Sequence, residues 1–326
     1  MEYKIVDNVE GYEFIEVTNN ANLCITLCTC GASVYSLSYD KNPMILTLKD
    51  KSLFLHTPQY YGKTLGRVCG RIVPHQEVLS KTFDLTPNEF ENVLHGGKNN
   101  LSYRNFKYKI KENNKAMKVD FSYVSKDGDN GFPGRIILHV IYEIYKDSDI
   151  VNIRFTCTPS EDTILNFSNH MYFNFSGTEM SDYKLKICAS KCFDMDEHLL
   201  PTRIREVPHA LNFTKLSRIG LRMKEVEKVI PFKNIDHTFI FDEVDKHKRQ
   251  VILANDEYKL YVRTTYDALN IYYDNSGTDV EFTNGDLHLR RGLAIEPQHN
   301  LLNRDIISIH KGEKYDEMIS YKFLKN

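Results

Sequence analysis

The period of the hydrophobic pattern constrains this chain most. Short runs that alternate apolar and polar residues, or are apolar throughout, recur from end to end. They include YEFIEVTN (12–19), NLCITLCT (22–29), SVYSLSYD (33–40) and FKYKIKE (106–112). MKVDFSYVS (117–125), RIILHVIYEIY (135–145), IVNIRFTC (150–157), YKLYVRTT (258–265), LNIYYD (269–274) and MISYKFL (318–324) continue the pattern. A period of two sends successive side chains to opposite faces of a strand, so each run buries one face only against another sheet. The 20 Tyr and 18 Phe suit such strands. KDGDNGFPG (126–134) and DNSGTD (274–279) carry turn chemistry. Helical spacing is weak. Only LNFTKLSRIGLRMKEVEKVI (211–230) has room for a short helix, and its Gly220 counts against one. There is no linker, low-complexity tract or clear repeat. The expectation is an all-β chain, one large antiparallel β-sandwich, forming a single domain over residues 1–326.

Charge narrows the classes of partner. The 42 basic and 44 acidic residues leave a formal net charge of -2. No basic excess points to nucleic acid or to an anionic membrane surface. The segment MEYKIVDNVEGYEF lacks the charged and apolar regions of a signal peptide. No apolar run reaches the roughly 18 residues of a membrane-spanning helix. A cytoplasmic location is therefore the default expectation. Seven cysteines, an odd number in a long chain, argue against a disulfide framework. Cys24, Cys28 and Cys30 would share one strand face, but no CxxC pair or nearby His completes a metal site. They read as core thiols, and neither a metal nor a cofactor is expected.

The stretch TILNFSNHMYFNFSG (163–177) reads as a buried strand interrupted by Asn169 and His170. An imidazole buried there needs a hydrogen-bond partner or a task. Four other stretches stand out. GRVCGRIVPH (66–75) places Arg67 and Arg71 four apart, with glycine at 66 and 70. NVLHGGKNNLSYRNF (92–106) sets His95 before two glycines. FKNIDHTFIFD (232–242) puts Asp236 and His237 ahead of an apolar run, and RRGLAIEPQHN (290–300) ends an apolar run on Glu296. Singly, these read as a bend with exposed arginines, a turn with an incidental His, a capping Asp, and a carboxylate that is costly unless paired or used.

In order, LHGG, DGDNGFPG, SNHMYFNFSG, NIDHTFIF and LAIEPQ resemble the aldose 1-epimerases, or galactose mutarotases, over about residues 60–300. The resemblance implies the galactose mutarotase-like supersandwich. It implies Glu296 as catalytic base and His170 as catalytic acid, with no cofactor. Arg71, His95 and Asp236 fall at sugar-binding positions, Tyr172 lines the same site, and Asn270 stands where relatives often carry a substrate-contacting Gln. A small sugar is the implied partner, and the implied state is a monomer or weak homodimer. Gly70 departs from the Asn often beside the matching Arg. EPQHNLLN lacks the usual Pro-Asp-Ala. The chain has no Trp, so Phe106 or Tyr103 is expected to fill the space of the Trp that often follows the HGG motif.

Three other functions stay open on these residues. A hexose-6-phosphate 1-epimerase needs extra Arg or Lys at the cleft mouth for its phosphate, and Arg67 and Arg71 could supply part of that. A non-catalytic carbohydrate-binding β-sandwich would need no acid and base. A glycosidase would need Asp236 as a second carboxylate.

Overall fold

The alternating runs pair into antiparallel ladders in a computed structural model that describes residues 1–79, 81–277, 279–285 and 291–326. Position 278 of the 274–279 turn and Arg290 of the 290–300 stretch lie outside these residues. Among the described residues, a nine-stranded sheet runs in the order Lys107–Glu112, Ala116–Ser125, Ile136–Tyr145, Ile150–Cys157, Tyr315–Lys325, Tyr258–Thr264, Val251–Ala254, Lys184–Ile187, Ser217–Arg218. A six-stranded sheet runs in the order Tyr172–Phe173, Leu293–Gln298, Ala268–Tyr273, Asp236–Ile240, Lys191–Met195, Pro201–Glu206. A five-stranded meander spans Glu2–Val9 to Asn42–Pro43.

The period-two rule shows in the burial. Along Ile136–Tyr145, fully buried residues alternate with more exposed ones. The main core joins all three sheets: Ile25 and Leu37, then Val140, Ile153 and Tyr321, then Phe239, Ile271 and Ile295. This is the sandwich the sequence predicts. Leu293–Gln298 differs, because all six of its residues are buried. Its Leu293 and Ile295 face the core, which leaves Ala294, Glu296 and Gln298 on the opposite face. Glu296 and Gln298, the polar side chains on that face, line a cleft.

Three local readings change. The 163–177 stretch is not one strand. Ser168–Asn169 pairs with Thr64–Leu65, whereas Tyr172–Phe173 pairs with Leu293–Ala294, so the chain changes sheets at His170. Cys30 lies beyond the Leu23–Cys28 strand, and Cys24 is only half-buried, so the three thiols do not form one core face. The short helix expected within 211–230 occupies Ile219–Val229, and Gly220 does not break it. A Cβ there would stand 2.8 Å from the Ser181 carbonyl oxygen, so the glycine serves close packing. Among the described residues, no helix is long and apolar enough to cross a membrane.

Candidate active site

Register across the six-stranded sheet builds the site. Glu296 pairs with Asn270, and Asn270 with Thr238. One step along, Tyr172 pairs with Ala294, Ala294 with Tyr272, and Tyr272 with Asp236. Two transverse rows therefore present polar side chains on the face turned away from the core. Asn270 ties them together: its Nδ2 donates to Glu296 Oε1 at 3.2 Å and to Asp236 Oδ1 at 3.3 Å. Thr238 donates to Asn270 Oδ1 at 3.1 Å and accepts from Gln298 Nε2 at 3.2 Å.

Loops close the face into a cleft of about 230 Å³. That is smaller than the roughly 300–1,000 Å³ typical of sites for drug-sized ligands. All seven residues singled out from the sequence line it: Arg71, His95, His170, Tyr172, Asp236, Asn270 and Glu296. The sheet change at His170 delivers its ring, only 4% exposed, beside the 1% exposed Glu296. His170 Nε2 lies 3.4 Å from Glu296 Oε1. Tyr172 and Tyr60 flank the imidazole at ring-centroid distances of 4.8 and 6.1 Å. Asn169 turns inward, donating to the Gly62 carbonyl and accepting from the Met171 amide, so it fixes the bend.

The HGG motif has a steric reason. His95 sits at φ +51° and Gly96 at φ +92°, and a Cβ on Gly96 would come within 2.1 Å of the Gly66 carbonyl oxygen. This turn lets the Gly70 amide donate to His95 Nδ1 at 3.2 Å, which leaves the Nε2 proton on the neutral ring. Gly70 and the altered loop after Glu296 prove to be one feature. At Gly70 (φ +86°), a Cβ would meet Leu301 Cδ1 at 2.7 Å and Gln298 Oε1 at 3.3 Å. Leu301 thus fills the space a side chain at position 70 would need.

Arg71 donates to Asp236 Oδ2 at 3.2 Å and forms a two-point pair with Glu89. Arg67, by contrast, is neither exposed nor in the cleft. It is 2% exposed, and its guanidinium donates to Ser125 Oγ and to the Lys126 and Pro133 carbonyls, holding the 126–134 turn. Phe106 packs into the core against Tyr123, and Tyr103 backs Tyr60 from behind.

Electrostatics couple the central pair. Burial, reinforced by Asp236, pushes the Glu296 carboxyl up to about 8, against the pull of Asn270, Cys69 and Arg71. Burial pushes the His170 imidazole down to about 4, against its own backbone and Asp236. Burial thus favours the uncharged form of both groups, a neutral carboxyl beside a neutral imidazole. This reverses the protonation expected from the ordinary pKa values. Burial also holds His95 well below the usual histidine range. His170 Nδ1 and Gln298 Oε1 are buried with no hydrogen-bond partner, which leaves polar capacity for a ligand.

Sequence reasoning passed over Thr238, Tyr272, Gln298, Glu89, Tyr60 and Cys69. The first three lie two residues beyond Asp236, Asn270 and Glu296, so period two alone placed them on the same face. Cys69 is fully buried, and its thiol reaches Glu296 Oε2 at 3.6 Å. Burial above all pushes that thiol up, and Glu296 adds to the shift when it is ionised. Cys69, His95 and Glu296 offer ligand atoms within 4.8 Å of one another, the one such metal-capable group among the described residues.

Comparisons with known proteins identify the family and the fold. The family model described as Aldose 1-epimerase matches residues 13–322. The chain is 26% identical to the aldose 1-epimerase of Escherichia coli (strain K12), covering 96% of this chain and 95% of that protein. It is 28% identical to the Homo sapiens galactose mutarotase over 86% of this chain and 83% of that one. The crystal structure of galactose 1-epimerase from Lactobacillus acidophilus NCFM has the same fold, with a TM-score of 0.90 at 24% identity, covering 100% and 98% of the two chains. The chain is an epimerase and belongs to the aldose 1-epimerase family.

Proposed function

We propose that this single-domain chain interconverts the α and β anomers of a free aldose such as galactose or glucose, with Glu296 as base and His170 as acid. The 3.4 Å separation of His170 Nε2 from Glu296 Oε1, inside a buried cleft, carries this reading. The two oxygens that exchange protons in a cyclic hemiacetal are bonded to one carbon, so acid and base must stand close together. Glu296 takes the proton of the anomeric hydroxyl while His170 protonates the ring oxygen. The ring opens to the aldehyde, the C1–C2 bond turns, and reclosure on the other face reverses both transfers.

One proton shared by the pair is what this cycle needs. In the free site it rests on the carboxyl. Sugar hydroxyls that donate to Glu296 favour its charged form and move the proton to His170. Each positioned group contributes roughly 10²–10⁴-fold. Arg71, Asp236 and the His95 Nε2–H supply hydrogen bonds for the remaining hydroxyls, and the Tyr172 ring offers a flat apolar face for the sugar.

The alternatives fit less well. Arg71 is the only Arg or Lys among the described residues lining the cleft, and it is already engaged by Glu89 and Asp236. A phosphate dianion would meet more negative than positive charge there, so an unphosphorylated sugar is favoured. A pure binding module would not need a 3.4 Å His–Glu contact at the floor of its cleft. A glycosidase needs carboxylates on opposite sides of a sugar ring. Asp236 and Glu296 project from one sheet face and share one amide.

Polarimetry tests the reading. Fresh α-D-galactose and α-D-glucose are expected to mutarotate faster with the protein, and glucose 6-phosphate at much lower efficiency. No acceleration of galactose, glucose or other free aldoses by folded protein would overturn it.

A further inference from the structure

Cys69 takes no part in the proton transfers, yet it touches the group that does. Its Sγ stands 3.6 Å from Glu296 Oε2, and a ring nitrogen of His95 completes a triad whose ligand atoms all lie within 4.8 Å of one another. We propose that Cys69, His95 and Glu296 form a capture site for a thiophilic divalent cation, zinc above all, and that its occupation stops anomer exchange by sequestering the base.

Three observations carry this. The first is spacing. Zinc bonds of about 2.0–2.3 Å in a tetrahedron place neighbouring ligand atoms roughly 3.3–3.6 Å apart. The sulfur–carboxylate distance, 3.6 Å, already has that value, and no separation in the triad exceeds 4.8 Å. The second is charge. All three residues are buried. On binding, Zn²⁺ forms bonds to sulfur, carboxylate oxygen and nitrogen while the Cys69 thiol and the Glu296 carboxyl each release a proton to solvent. The resulting cluster of one dication and two anions is neutral, which a buried site tolerates better than an isolated charge. The third is the surrounding shell. The Gly70 amide and the Ser168 hydroxyl, which now donate to His95 Nδ1 and to the Pro297 carbonyl, both favour the charged form of the Cys69 sulfur. They stabilise a metal-bound thiolate, and the Gly70 amide, which otherwise donates to His95 Nδ1, has a second acceptor when His95 turns to the metal. A fourth position is left for water. Magnesium, which demands oxygen ligands in an octahedron, does not fit.

The block of activity rests on the anomer-exchange reading; the binding does not, and the two are measured separately. Chelator-treated protein is titrated with Co²⁺ and then Zn²⁺ in a non-coordinating buffer. The expected result is a thiolate-to-cobalt absorption band, displaced by Zn²⁺ and lost in both Cys69→Ser and Cys69→Ala. Zinc affinity in those variants should fall by more than the roughly 10–100-fold that loss of a supporting hydrogen bond costs. Polarimetry with galactose should show inhibition by Zn²⁺, reversal by chelator, and no effect of equal Mg²⁺. An unchanged band in the Cys69 variants, or none in the wild type, overturns the site. Zinc that binds without slowing exchange overturns the block. If the protein binds Co²⁺ through Cys69 but turns over no sugar, the functional reading fails and the metal site stands. Circular dichroism checks folding. If both Cys69 variants misfold, His95→Gln is read the same way, and unchanged Co²⁺ affinity overturns the proposal.

Discussion

Replacing Asn270 by Leu tests how the sheet tunes its base. The Asn270 amide donates to Glu296 Oε1 and Asp236 Oδ1, so it both stabilises the carboxylate and separates two like charges. Leu shares the branch at Cγ, cannot donate a hydrogen bond, and its larger side chain keeps water out of the gap. A hydrogen bond to a charged group contributes about 1.5–3 kcal/mol. At about 1.4 kcal/mol per pKa unit, its loss raises Glu296 by roughly 1–2 units. Glu296 starts at about 8 and His170 at about 4. The singly protonated pair, and with it kcat/KM, should therefore hold a plateau between those values in the wild type. In Asn270→Leu the alkaline limb should move to roughly 9–10 while the acid limb stays within about half a unit. Because the base is harder to ionise, the plateau itself should fall. The assay is kcat/KM for galactose by polarimetry across pH, with chelator present. A lower plateau with an unmoved alkaline limb would refute the tuning and make Asn270 a sugar contact alone.

Other perturbations separate structure from chemistry. His299 is buried between Asp267 and Glu317, at 3.1 Å from each. Burial lowers it, but the two carboxylates outweigh burial and lift it from 6.5 to about 9. Its folded-state pKa is raised, so its contribution is fully present below about 6.5 and is lost as pH rises through about 9. The shift corresponds to roughly 3 kcal/mol. His299→Gln should lower unfolding free energy by about that amount at pH 6 and much less at pH 10, by denaturant titration; an equal loss at both would refute the ion pairing. Arg67→Met should cost at least about 3 kcal/mol of stability, since several hydrogen bonds to the 126–134 turn go with it. The folded fraction should keep kcat/KM near wild type at low temperature, and a large loss there would return Arg67 to the site. Gly70→Asn alone should clash with Leu301, and adding Leu301→Ala should recover about 1–3 kcal/mol in a double-mutant cycle. Additive melting data would break the link between the two positions.

The strands were legible because a half-buried sheet writes its period directly into the sequence. The seven singled-out residues fell in one cleft because the motifs around them set a chain bend, a tight turn and two strand faces. Other features depended on pairing partners distant in sequence. His170 looked embedded in a strand because neither Thr64–Leu65 nor Leu293–Ala294 can be inferred as the two partners from residues 163–177 alone. Arg67 read as an exposed arginine in a bend because its anchoring carbonyls lie some 60 positions away. Glu89 left no local signal, since only the fold brings it to Arg71. Thr238, Tyr272 and Gln298 did leave one, two residues from a named side chain on the same strand. The inverted protonation of Glu296 and His170 follows from burial, which the sequence pattern does not quantify.

Anomer exchange of galactose by Glu296→Gln and His170→Gln, each beside the wild type and each shown to be folded, tests the central claim most directly. Optical rotation after dissolving pure α-D-galactose gives the rate. The acid–base account predicts that each variant loses at least about 10² in kcat/KM, and that the double variant loses little more than either single one because the pair works as a unit. A folded variant of either kind that exchanges anomers at close to the wild-type rate would contradict it.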